Sequence, residues 1–350
     1  MKKLLYTIII GLLLSGWNNR PVATSNVIGK GDQPQISKDN QGRIRIVFGN
    51  KDSIFCAVST DQGFTFSKPV LVAQVAGMHL GMSRGPQIAS SANYSVITAM
   101  DKSGNIHWFR YSHSSQVWKD MGYINDVKGS SPEGLMSVAA DGADNFYAVW
   151  LDIRTGKQNQ IYFSSISGAA TGWSKNEMVY QSPDGHVCEC CKPSISAEGS
   201  EVAIMFRNWL NGSRDLYLLQ SSNKGKSFKP AQKLGTGTWK LNGCPMDGGG
   251  VAIDPSGEIH TVWQREGFVY YCKPGQTEIP LDKGRTCSID GLAGNTVITM
   301  EKKDTLEAMK LSRKMVIPIG IGSAVKPLML PGNKMLFVWE QDGLIKYKRV

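Results

Sequence analysis

Short apolar runs separated by turns recur along this chain with a spacing of about 40 to 60 residues, the range of propeller repeats. Each repeat opens with a short strand, often preceded by Pro. A turn follows, then an apolar β-rich strand ending in an aromatic residue or Met. A third, alternating strand and a looser fourth complete it. The first copy runs Pro34–Ser37, Ile44–Phe48, Ile54–Val58 and Pro69–Val72. The second has Pro86–Ile88, Ser95–Met100 and Ile106–Arg110, and the third Met136–Val138, Phe146–Trp150 and Ile161–Ser164. The fourth has Pro193–Ser196, Glu201–Phe206 and Leu216–Gln220, and the fifth Gly250–Ile253, Glu258–Trp263 and Phe268–Cys272. The sixth is degenerate (Ser288–Asp290, Thr296–Met300, Leu306–Lys310), and the seventh is Lys326–Leu330, Met335–Trp339 and Leu344–Val350. The predicted fold is an all-β propeller of four-stranded antiparallel blades. Seven blades are counted, six if the degenerate copy is not a blade. The last copy lacks a fourth strand, and the segment Pro21–Val27 is placed to supply it and close the ring.

Composition fits this picture. The 350 residues include 38 Gly, 9 Trp, 11 Tyr and 11 Phe, as expected of many tight turns and aromatic packing between sheets. The net charge is +10, with the basic residues scattered among acids, so no nucleic-acid-binding arm is expected. A basic surface suits anionic glycans.

Residues 1–20 read as an export signal. Lys2 and Lys3 precede the apolar Leu4–Leu14, a stretch short for a membrane span. Leu13-Leu14-Ser15-Gly16 is lipoprotein-like, but Trp17 stands where the lipidated Cys would be. Residues 21–350 are expected to be one propeller domain, exported to the periplasm, cell surface or medium. It is expected to be a monomer whose only membrane association is the export signal.

Ser59-Thr60-Asp61-Gln62-Gly63-Phe64-Thr65-Phe66 fits the pattern S-x-D-x-G-x-[TS]-[FW]. Asp61 is suited to accept turn amides, Gly63 to adopt positive φ and Phe66 to bury its ring between sheets. Ser221 to Phe228 repeats the pattern with Asn223, Gly225 and Phe228, Asn replacing Asp; Trp118 and Trp173-Ser174 look like decayed copies. The motif resembles the Asp box (BNR repeat) of the sialidase-like propeller superfamily. That resemblance implies a structural role for the boxes and opens an exo-hydrolase function toward sialic acid or another acidic glycan. Sialidases hold the sugar carboxylate with three arginines and use a Tyr nucleophile assisted by Glu, with Asp as acid/base. Their first arginine lies in an F-R-I-P-like motif, whereas this chain has Ser83-Arg84-Gly85-Pro86 at a similar place.

Antiparallel alternation sorts the loops. Those leading into first strands share a face, here the front, with those joining second to third strands. The Asp boxes fall on the back. Arg84, Arg154, Arg207, Arg214 and Arg265 map to the front as candidates for an anion clamp, since guanidinium forks bind planar anions. Glu133 and Asp247 are the candidate acid/base groups, and Tyr270 and Tyr271 the candidate nucleophiles.

Cys188-Glu189-Cys190-Cys191 and Cys244-Pro245-Met246-Asp247 occupy equivalent front loops of adjacent blades. One reading is a disulfide from Cys244 to one of the trio, with Cys272 and Cys287 as a second pair. The other is a soft-metal site for Cu or Zn, with His186 or Met246 completing it. Cys56, mid-strand, is expected to be a buried apolar residue. No cofactor is otherwise required. Three functions stay open: an exo-glycosidase, a non-catalytic glycan- or protein-binding propeller, and a metal-binding or redox propeller centred on the cysteines.

Overall fold

The computed structural model describes residues 26–350 except 157 and 293, so the expected export signal with Trp17 lies outside the described residues. Seven four-stranded antiparallel sheets form a ring. Blade 1 is Asp32–Lys38, Ile44–Asn50, Ser53–Ser59 and Val70–Gln74. Blades 2 to 5 begin at Gln87–Ser90, Met136–Ala140, Ser194–Glu198 and Gly250–Ile253. Blade 6 comprises Arg285–Leu292, Asn295–Lys302, Thr305–Lys310 and Met315–Ile321. The degenerate copy is therefore a full blade, and the count is seven, not six.

Blade 7 combines both ends of the chain. Ser323–Leu330, Lys334–Gln341 and Leu344–Arg349 come from the C-terminus, and Asn26–Lys30 adds the fourth strand. Asn26 sits opposite Tyr347, and the Gly31 amide bonds the Gly343 carbonyl at 2.9 Å. An open ring would leave unpaired strand edges at the seam; this closure pairs them.

The core is divided among the joints between blades. Val47, Ile54 and Cys56 of blade 1 pack with Ile88, Ile97 and Phe109 of blade 2, and equivalent clusters join every other pair round to blade 7 and blade 1. Cys56 is buried among apolar side chains, as its position requires. Trp108, Trp150 and Trp339 are almost wholly buried, and each such side chain contributes about 1.5–3 kcal/mol or more.

The Asp boxes fasten these joints from the back. Asp61 accepts the Thr65 amide at 3.0 Å and its hydroxyl at 2.6 Å, while Ser59 Oγ accepts the Gly63 amide at 2.8 Å. The Thr65 hydroxyl and amide hold the Asp61 carboxyl down at about 2. Gly63 has φ +83°, and a Cβ there would lie 2.9 Å from a Leu336 methyl of blade 7. Phe66 meets Tyr347 of blade 7 edge-on at 4.8 Å. The second box repeats the backbone bonds, with Ser227 N to Asn223 Oδ1 at 3.0 Å and Gly225 N to Ser221 Oγ at 2.9 Å, while its side-chain bond runs the other way, Asn223 Nδ2 donating to Ser227 Oγ at 2.8 Å; Phe228 meets Phe163 of blade 3. Trp173 of the decayed copy in blade 3 still packs edge-on against Trp108 of blade 2. Each box aromatic thus seals the joint with the preceding blade.

Candidate functional site

The inner strands surround an axial channel, and its front mouth opens into a cavity of about 430 Å³. Trp239, Met246, Asp247, Arg285, Glu301 and Lys326 are among its walls. Residues that start the inner strands point here because a strand entering a propeller at its axis exposes its first side chains to the mouth. The Arg285 side chain is 69% exposed, with Nε 3.9 Å from Glu301 Oε2. Behind the mouth, Lys192 and Lys326 line the channel, and Lys192 donates to Gln87 Oε1 at 3.2 Å. Burial and the neighbouring Lys326 push Lys192 down to about 7. Nearer the back, burial raises Asp290 to about 6.

The five candidate arginines all reach the front loops, but most of their donors are used inside the protein. Arg207 is 1% exposed and donates to the carbonyls of Asp247 (3.0 Å), Arg214 (2.7 Å) and Gln264 (2.9 Å). Arg154 is held by Asp152 and Asp126 and lies over the Tyr162 ring. Arg265 pairs with Glu278 at 2.9 Å and covers Tyr270. Arg214 points Nη1 at Cys188 Sγ, 2.9 Å away. Arg84 donates Nε to the Glu133 carbonyl at 2.5 Å, with Nη2 3.8 Å from the Glu133 carboxylate. The structure does not bring three of them together on one free anion position.

The four candidate catalytic residues are likewise dispersed. Glu133 faces Arg84 on blade 3's front loop. Asp247 borders the cavity, but its carboxylate accepts the amides of Thr286 (2.7 Å) and Gly249 (3.2 Å), which pins blade 5's loop to blade 6. Tyr270 packs on Trp263 toward blade 4, and Tyr271 turns to the blade 6 side. There the Tyr271 hydroxyl lies 2.7 Å from His260 Nδ1, beside a cavity of about 510 Å³ bordered by Glu258 and Lys273. Burial pushes Tyr271 up to about 12. Adjacent residues on a strand face opposite ways; both tyrosines pack into joints between blades, and of the four candidates Asp247 borders the mouth.

The cysteine loops do converge. Cys190 and Cys244 form a disulfide that joins the front loops of blades 4 and 5. Cys188 and Cys191 remain thiols, 3.3 Å apart, and Cys188 Sγ lies 3.7 Å from Cys190 Sγ. The hydrogen bond between Cys188 and Cys191, with the charges of Arg214 and Arg207, outweighs burial and lowers the Cys188 thiol below its usual range; burial raises Cys191. The expected Cys272–Cys287 pair does not form. Cys272 belongs to the joint between blades 4 and 5 and Cys287 to that between blades 5 and 6, so they lie on opposite sides of one sheet.

Two groups among the described residues have donors close enough for a metal ion: Cys188, Cys190 and Cys191, and Asp254, Glu258 and His260. The sulfur group is chemically suited to a soft ion, but Cys190 is a ligand only once its disulfide is reduced. His186 pairs with Glu189 at 2.8 Å and stacks on Trp209. Met246 is exposed at the cavity.

Trp239, Arg285, Glu301 and Lys326 escaped the sequence reading as site residues. Arg285 obeys the same rule that selected Arg84, since it enters an inner strand, but it does so in the blade whose repeat is faintest.

No protein-family description matches the chain, and no curated protein does. Solved structures share its fold at low identity. The BP39L lectin from Burkholderia pseudomallei is 11% identical, with TM-score 0.67, over 92% of this chain and 96% of the lectin. YCF48 bound to D1 peptide is 12% identical, with TM-score 0.54, over 93% and 94% of the two chains. The NanB sialidase from Streptococcus pneumoniae, in a K499G mutant, is 12% identical, with TM-score 0.44, over 94% of this chain and 68% of that one. This chain is thus a seven-bladed propeller similar in fold to the BP39L lectin and to YCF48.

Proposed function

We propose that this chain is an exported, non-catalytic propeller that binds an acidic glycan at the front mouth of its channel. The observation that carries the reading is the cavity of about 430 Å³ in which Arg285 and Lys326 lie with Trp239. An exposed guanidinium and an ammonium supply anion recognition, and an indole supplies a flat apolar wall against which a sugar ring can lie. The glycan class is in keeping with the lectin among its fold neighbours, at an identity where the fold alone is shared. Catalysis is the weaker reading because Asp247 is tied to two backbone amides and both tyrosines lie away from the mouth.

The test is an array of acidic and neutral glycans, run beside a fluorogenic sialoside assay. Acidic glycans are expected to bind without turnover of the sialoside. Arg285→Ala and Lys326→Ala are each expected to weaken binding about tenfold, or about 1.4 kcal/mol. Turnover that depends on Glu133 or Asp247 would instead favour the exo-hydrolase, and binding of a protein but no glycan would favour a protein-binding propeller.

A further inference from the structure

The front loops of blades 4 and 5 gather four of the seven cysteines at one point, and the surrounding residues treat them unequally. Cys190 and Cys244 are bonded, Cys244 is exposed and Cys190 partly so. Cys188 and Cys191 are thiols at 0% and 2% exposure. Arg214 Nη1 donates to Cys188 Sγ at 2.9 Å, so a guanidinium faces this sulfur directly, and Cys191 Sγ lies 3.3 Å from it. Arg214 is itself placed by its ring contact with Trp209, and Arg207 holds the Arg214 and Asp247 carbonyls on either side of the cluster. A thiolate is the nucleophile of disulfide exchange, and a guanidinium beside it favours that form. The Cys188 sulfur lies 3.7 Å from Cys190 Sγ, in van der Waals contact and a few tenths of an ångström beyond the roughly 3–3.5 Å of a near-attack contact. A disulfide serving only as a staple needs none of this.

We propose that Cys188, Cys190, Cys191 and Cys244 form a thiol–disulfide exchange centre in which buried Cys188 attacks Cys190 and releases exposed Cys244 to react with an external small disulfide. In the first step the Cys188 thiolate forms a bond to Cys190 Sγ as the Cys190–Cys244 bond breaks. The electron pair leaves on Cys244 Sγ, which equilibrates with a proton from water; nothing is oxidised or reduced overall. In the second step the Cys244 thiolate attacks a small disulfide R–S–S–R. A Cys244–S–S–R bond forms, and the departing R–S⁻ carries away the electron pair. The exchange removes the covalent tie between Cys244 and blade 4, leaving Asp247 held by Arg207, and Pro245, Met246 and Asp247 border the front cavity. The centre stands independently of what that cavity binds.

The test uses the whole chain, purified without reductant and treated in its native state with 5,5′-dithiobis(2-nitrobenzoate). Release of thionitrobenzoate is followed by absorbance, and acid-quenched protein is mapped by peptide mass spectrometry. One equivalent is expected per chain, with the label on Cys244 and a new Cys188–Cys190 bridge. Cys188→Ser is expected to abolish the release, Cys191→Ser to keep it, and Arg214→Gln to slow it at least tenfold, with Arg214→Lys restoring part of the rate. Circular dichroism checks that each variant is folded. If Cys188→Ser does not fold, Arg214→Gln decides alone, and an unchanged rate overturns the proposal. Absence of release from the wild type, or label elsewhere with Cys190–Cys244 intact, also overturns it.

Discussion

Replacing Arg207 by Met separates a structural arginine from a ligand-binding one. Arg207 is 1% exposed, and its guanidinium makes three hydrogen bonds to carbonyls contributed by Asp247, Arg214 and Gln264. It also lies over the Trp239 ring, at 5.4 Å. Met has a similar reach and fills the space but donates nothing. Three buried carbonyls then lose a charged donor, at a cost of about 1–3 kcal/mol each, offset in part because the buried charge is removed as well. The net expectation is a loss of about 3–5 kcal/mol. With a urea m-value of about 3 kcal/mol/M for a chain of this size, the unfolding midpoint falls by about 1–1.7 M. The assay is equilibrium unfolding in urea followed by tryptophan fluorescence, with the slope compared between the two proteins. A midpoint unchanged within about 0.5 kcal/mol, together with lost glycan binding, would refute the reasoning and return Arg207 to an anion clamp.

Other predictions follow from the boxes and the channel. Asp61→Asn should cost under about 1 kcal/mol at neutral pH, because in the second box Asn223 accepts the same backbone amide and satisfies the Ser227 hydroxyl by donating to it. Asp61 titrates lower in the folded protein than its ordinary value of 3.8, so its charge stabilises above that value and the benefit is lost as pH falls toward about 2. Thermal melts across that window should therefore converge for the wild type and Asp61→Asn. Lys192, pushed down to about 7, binds fewer protons folded than unfolded between about 7 and its ordinary 10.5, so stability should rise with pH there. Lys192→Met should remove that rise, and in reductively methylated protein the Lys192 resonance should titrate near 7.

The blades were readable where water and core impose alternation. Glu201–Arg207 is a single strand with its apolar residues buried, and the sequence pattern identified it within one residue. Blade 6 was faint because its inner strand Arg285–Leu292 lines the axial channel, where Asp290 and Gly291 weaken the apolar pattern. The faces of the disc were readable as well, since strand alternation alone puts the Cys188–Cys191 and Cys244 loops together. Pairing was not. Arg154 meets Asp126, Arg265 meets Glu278 and Arg207 meets the Asp247 carbonyl, and each partner lies in a loop whose path no local pattern specifies. The same blindness let the Cys272 and Cys287 thiols look like a pair when a sheet separates them.

Hydrogen exchange read by mass spectrometry, with and without a bound acidic glycan, tests most directly where this propeller works. Protection is predicted at residues 82–85, 239–247, 285–286 and 323–326, which meet at the front mouth from separate blades. Protection confined to the Asp-box turns on the back, or to the cleft between blades 5 and 6 beside Tyr271, would contradict the account.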